Sequence, residues 1–242
     1  MRLLNSIKGV LNLVTDNYRY IKQQVIETAE KCGRNPDDFT LIAVSKTKPL
    51  TDIEELIQFG VSDFGENKVQ ELCDKYENVS TPVHFHLIGH LQTNKVKYVV
   101  DKTCLIHSVD SIKLVKEIQK EAAKKQIIAP VLIEVNVAEE ESKFGLHVDE
   151  VIPFLIEIAS FPNIHVEGLM TIAPFVENPE ENRCYFRTLK QLSLDIISKN
   201  IDNIDMNVLS MGMTNDYKVA IEEGATMVRV GTAIFGARNY IV

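Results

Sequence analysis

Eight short apolar runs alternate with helical patterns along this chain, and that rhythm constrains the fold more than any other feature. The runs are residues 39–46, 61–66, 83–89, 103–108, 130–137, 165–172, 206–211 and 226–231. Between them lie helix-spaced segments at 51–59, 67–77, 93–100, 111–125, 148–160, 179–199 and 215–223. Strands separated by helices form parallel sheets joined by right-handed crossovers. Eight such units in about 200 residues predict a (β/α)8 TIM barrel near its compact limit. An open doubly wound sheet is the runner-up.

One more helical pattern precedes the first strand. Ile7, Val10, Leu11, Val14, Ile21 and Val25 share a face over residues 5–31, and Gly33 and Pro36 end it. Residues 1–34 are therefore expected to pack as a helix on the barrel, with 1–242 forming one domain. Helix starts are expected at Thr51, with Glu54 three residues on, at Asp110, and at Asn178 before Pro179.

Composition removes several function classes. The net charge is -8 and the pI near 5.3, which argues against a nucleic-acid binder with a basic face. No apolar run reaches the ~18 residues of a membrane helix. The N-terminal residues lack the apolar core of a signal peptide. Cys32, Cys73, Cys104 and Cys184 are widely spaced without a CxxC and read as reduced thiols of a cytoplasmic protein.

In a barrel the strand C-termini share one face, and functional side chains gather there. Here those ends carry Lys46, Glu66-Asn67, His90, Ser108, Asn136, Met170-Thr171, Ser210 and Arg229. Polar residues end strands in any protein. Lys46 and Arg229 differ, because each sits among apolar neighbours that belong inside. Burial disfavours a charged lysine, and a neutral amine is a nucleophile that condenses with carbonyls to a Schiff base. The bland alternative is a lysine that snorkels out of the barrel rim.

The last two units carry LSMGMTND (209–216) and MVRVGTAIFG (227–236). Loops after strands seven and eight of a barrel often cradle a phosphate with backbone N–H groups. Gly212 and Gly231 permit close backbone approach, and Ser210 and Thr232 bring hydroxyls. A Schiff-base lysine opposite a phosphate cradle calls for a ligand with both an aldehyde and a phosphate. Pyridoxal 5′-phosphate (PLP) fits, and so does a sugar phosphate held by an aldolase. Arg229, two residues before Gly231, is placed to meet a pyridine nitrogen. His84, His86 and His90 lack accompanying cysteines or carboxylates, so no metal site is expected. The three glutamates at 139–141 read as a solvated loop, with Lys143 near the mouth of the site.

AVSKTKP, FGENKVQE, IGHLQTNKVK, GLMTIAP, LSMGMTND and VRVGTAIFG occur in that order over residues 39–239. Together they resemble the PLP homeostasis protein family, whose fold is similar to the N-terminal barrel of alanine racemase. The resemblance implies that Lys46 is the PLP lysine and that Asn67 lies near the cofactor. It implies that Ser210, Met211, Gly212, Gly231 and Thr232 form the phosphate site, and that Arg229 faces the pyridine nitrogen. Thr214 stands where many members have serine, and Leu87 replaces a common aromatic. By the same resemblance the protein carries PLP for intracellular homeostasis, with PLP-dependent apoenzymes as partners, and no residue is assigned a catalytic role. The alternative is a weak PLP-dependent amino-acid racemase. In alanine racemase the second base is a tyrosine from a C-terminal domain, and Val242 is expected to leave no room for one.

Overall fold

The computed structural model describes residues 13–140 and 143–236. The helix α1 (Leu13–Lys31) precedes β1 (Thr40–Val44), α2 (Leu50–Gln58), β2 (Asp63–Glu66), α3 (Val69–Asn78) and β3 (His84–Leu87). Next come α4 (Val96–Val99), β4 (Leu105–Val109), α5 (Ile112–Lys125), β5 (Ala129–Glu134), α6 (Val148–Ile158) and β6 (Ile164–Met170). The series ends with α7 (Arg183–Lys199), β7 (Ile204–Met213), α8 (Tyr217–Glu222), β8 (Met227–Val230) and α9 (Thr232–Phe235). Each strand pairs in parallel with the next, and β1 pairs with β8, Ile42 opposite Arg229. That pairing closes a (β/α)8 barrel and excludes the open sheet.

Residue parity explains the closure. Leu41 and Ala43 of β1 point outward into the main core under the helices, whereas Ile42 and Val44 point into the barrel with Ile88. A strand covered on both faces needs apolar residues at both parities. Leu105, Leu132, Met170 and Val208 form a second inward cluster. Most inward positions above it are polar, and they build the site described below.

The observed strands are mostly shorter than the apolar runs. The first was expected to include Lys46, yet β1 ends at Val44. The Ser45 carbonyl is taken by Lys75 Nζ at 2.7 Å and by the Lys48 N–H at 3.0 Å, which turns the chain away from the ladder. The helix α2 starts at Leu50 after Pro49 instead of at a Thr51 cap, and α5 is preceded by Ser111, not Asp110. Asn178 does cap, accepting the Glu180 N–H, but the turn it opens is 3-10 and leads into α7.

Of the expected 5–31 helix, Leu13–Lys31 is helical, while Ile7, Val10 and Leu11 lie outside the described residues. Tyr18, Ile21, Val25 and Ala29 form its buried face. Asn17 donates to the Ile234 carbonyl at 2.9 Å, and Lys218 donates to Gln24 at 2.6 Å, so α1 is tied to α9 and α8. Among the described residues no helix is long and apolar enough to cross a membrane.

One backbone contact admits no side chain. A Cβ on Gly168 would lie 1.9 Å from the Val208 carbonyl oxygen, where β6 crosses β7. Gly168→Ala should therefore cost about 3 kcal/mol or more, as overpacking against backbone does. The denaturant midpoint reads this directly.

Candidate functional site

The turn that carries Lys46 is braced on both sides. Lys75 reaches from α3 and spends its three donors on the Ser45 carbonyl, Glu66 Oε1 and Glu71 Oε1, each at 2.7 Å. The Ser45 hydroxyl donates to the same Glu66 oxygen at 2.5 Å. Thr47 adopts φ 64°, a left-handed conformation that is costly for a β-branched residue. Its N–H is held by Glu71 Oε1 at 2.5 Å. Lys46, half-buried, is thus fixed through both chain neighbours. Burial raises the Glu66 pKa even though Lys75 and Ser45 oppose it, and its Oε2 has no hydrogen-bond partner.

On the neighbouring strand, Arg229 points inward and is buried. Its Nη1 donates to Ser210 Oγ at 2.6 Å and its Nη2 to the Thr171 carbonyl at 2.9 Å. Burial pushes the guanidinium down to about 10, with Glu134 and Asp216 opposing, so it stays charged at neutral pH. These two bonds use two of the five N–H groups that a guanidinium carries. Nearby, the Asn67 side-chain oxygen is buried without a partner.

The expected phosphate residues divide by what faces the mouth. Ser210 is fully buried, and its hydroxyl is engaged by Arg229 and by His107 Nδ1 at 2.9 Å. The Met211 side chain lies in the core between strands and helices, which leaves its backbone for a ligand. Gly212 has φ 89°, and a Cβ there would come within 2.5 Å of Ala220 and 2.9 Å of Tyr217 Cα. Its missing side chain is demanded by the seating of α8. Asp216 braces the loop by accepting the Met213 N–H at 2.7 Å and the Asn182 amide at 2.8 Å. Gly231 precedes the first turn of α9, where Thr232 is exposed.

Several other strand-end residues hold loops together. Ser108 donates to the Gly89 carbonyl, Thr171 to the Val135 carbonyl, both at 2.7 Å, and Asn136 to the Glu140 carbonyl at 2.9 Å. His84 Nδ1 and His86 Nε2 both reach Asp63 Oδ1, at 3.3 and 3.1 Å, and His90 stands apart from that pair. His84 is exposed, His86 is inside the barrel, and His90 stacks on Phe144 with ring centroids 3.9 Å apart. Phe144 and Glu134 line a cavity of about 160 Å³ with Asn136, Lys143 and Ile172.

A family model described as alanine racemase, N-terminal domain, matches residues 14–239. A pyridoxal phosphate homeostasis protein of Aquifex aeolicus is 45% identical over 221 residues, which cover 91% of this chain and 96% of that one. The chain belongs to the pyridoxal phosphate homeostasis protein family. The structure of PipY from Synechococcus elongatus with PLP bound is similar at 30% identity and a TM-score of 0.77, covering 88% of this chain and all of that one. An alanine racemase of Clostridium difficile shares the fold at a TM-score of 0.73 and 16% identity, with 93% of this chain matching 57% of its length.

For a member of the PLP homeostasis family, the residue that the sequence reading missed most clearly is Glu134. It lies in the apolar run VLIEVNV, the same signal that drew attention to Lys46 and Arg229. Burial and the Asp110 charge push its carboxyl up to about 7, with Arg229 opposing. In the unfolded chain such a carboxyl ionises near ~4.3. The fold therefore holds this proton more tightly, and stability falls as pH rises from that value through about 7. Glu134→Gln removes the loss. It should stabilise the protein by up to about 3 kcal/mol at pH 8 and change little at pH 4, as chemical denaturation at the two pH values will read.

Proposed function

We propose that this protein binds PLP at the C-terminal face of the barrel, with Lys46 as the covalent attachment point, and serves the intracellular supply of PLP to other enzymes. One observation carries the reading: a braced, half-buried lysine shares this face with a buried arginine, in a barrel similar to one solved with PLP bound. Bound PLP supplies an aldehyde that condenses with an amine and an electron-poor ring that stabilises negative charge.

The residues present fit that group. The partnerless Asn67 oxygen gives it a polar contact. Arg229 would donate to the ring nitrogen and, as it does not give up a proton readily, would keep the ring unprotonated. The backbone after Ser210, with Gly231 and the Thr232 hydroxyl, would take the phosphate. An unprotonated ring is a weaker electron sink than one held by a carboxylate, which favours carriage over turnover. The free cysteines and the acidic charge accord with a cytoplasmic protein without nucleic-acid partners. Apoenzymes that need PLP are the receiving partners.

Visible absorbance tests the proposal. Protein titrated with PLP should gain a saturable visible band and retain it through gel filtration. It should also transfer PLP to an apoenzyme while leaving L- and D-alanine uninverted. Protein that takes up no PLP would refute the reading, and rapid inversion of alanine would replace carriage with racemisation.

A further inference from the structure

A single hydrogen-bonded chain crosses the barrel interior and ends on Arg229. Asp63, at the start of β2, lies 3.1 Å from His86 Nε2. His86 Nδ1 lies 3.0 Å from His107 Nε2, with the two rings edge-on. His107 Nδ1 lies 2.9 Å from Ser210 Oγ, which accepts from Arg229 Nη1 at 2.6 Å. Because β5 and β6 separate β4 from β7 in the wall, the His107–Ser210 bond spans the lumen. His86, His107, Ser210 and Arg229 are all at least 95% buried, whereas Asp63 keeps 22% of its side chain exposed near the opposite face.

With both rings neutral, the two ends fix the direction of every bond. Arginine only donates, and an ionised carboxylate only accepts. Ser210 therefore accepts from Arg229 and gives its proton to His107 Nδ1. That leaves His107 its Nε2–H to donate to His86 Nδ1, and His86 its Nε2–H to donate to Asp63. Both imidazoles are then Nε2–H tautomers, with no surplus proton and no unused site along the chain. Burial, with the Arg229 charge adding to it, holds His107 well below its ordinary pKa, as this pattern requires. Asp63 supplies the acceptor: burial raises its pKa, but hydrogen bonds from His86 and Ser62 work against that, and the net direction is down.

We propose that Asp63, His86 and His107 are positioning residues for the cofactor ring, acting through Ser210 to set the plane of Arg229 and the N–H groups it keeps for the ligand. The proposal rests on the PLP reading. It also explains why Ser210, at a predicted phosphate position, is turned into the barrel: its hydroxyl is the link between the histidines and the arginine.

Two measurements test it. In ¹⁵N-histidine NMR of the ligand-free protein at pH 7, His86 and His107 should both be neutral with the proton on Nε2. An Nδ1–H tautomer or a doubly protonated ring at either position would overturn the chain's direction and the proposal with it. The second measurement compares His107→Leu with His107→Gln in PLP titrations. The glutamine amide accepts from Ser210 and donates to His86, so it preserves the direction; leucine does neither. His107→Leu should bind PLP roughly tenfold more weakly, in line with one lost buried hydrogen bond, and shift the visible maximum. His107→Gln should restore both. A leucine variant with the wild-type spectrum would overturn the positioning role while leaving PLP binding standing. A wild type that binds no PLP would remove the parent reading, and the NMR result would still report on the chain itself.

Discussion

Lys46→Ala should lose all borohydride-fixed pyridoxyl label while keeping the fold. The wild type should carry the label on one peptide, the one containing Lys46. The neighbouring lysines are committed elsewhere: Lys48 Nζ donates to the Phe235 carbonyl at 2.8 Å, and Lys143 pairs with Glu140 at 2.6 Å. Without PLP the two proteins should melt at similar temperatures, because the bonds that brace the turn come from Lys75 and Glu71 to the neighbours of Lys46. With PLP at ~100 times its dissociation constant, linkage gives the wild type ~2.7 kcal/mol of added stability. The alanine variant should gain less. Label found mainly on Lys48 or Lys143 would move the attachment point, and an undiminished PLP-induced shift in the variant would mean that the covalent bond adds little to affinity.

The barrel was legible because its information is local. Runs buried on both faces read as apolar at both parities, and amphipathic helices between them repeat at 3.6 residues. Strand ends were less legible, because distant side chains decide them. β1 stops where Lys75, thirty residues away, takes the Ser45 carbonyl. In the site, Lys46 and Arg229 stood out as charges inside apolar runs. Glu134 carried the same signal and is buried as Arg229 is. Ser210 shows the limit. Its place at a strand end suggests a phosphate donor, but its actual partners are His107, 103 positions earlier, and Arg229, 19 positions later. No periodicity encodes a bond across the lumen. The alternation His84-Phe85-His86 did hold one clue, since a strand residue flanked by phenylalanine and leucine of the outer core must face inward, and an inward histidine requires partners.

Phosphate recognition sets the second large effect. The loop after β7 is braced by Asp216 and seated on α8, and the first turn of α9 leaves N–H groups without acceptors inside the helix. A dianionic phosphate meeting these groups gains charge-assisted hydrogen bonds of ~1.5–3 kcal/mol each. Pyridoxal keeps the aldehyde and the ring but offers none of these. Losing two such bonds amounts to at least ~100-fold in affinity. Titration of the protein with pyridoxal and with PLP, followed by absorbance, should show that gap, and inorganic phosphate should compete with PLP at high concentration. Thr232→Val should narrow the gap by removing one hydroxyl, whereas Ser210→Ala should act mainly on the spectrum, because that hydroxyl faces Arg229. Equal affinities for the two ligands would refute the placement of the phosphate at the β7 and β8 loops.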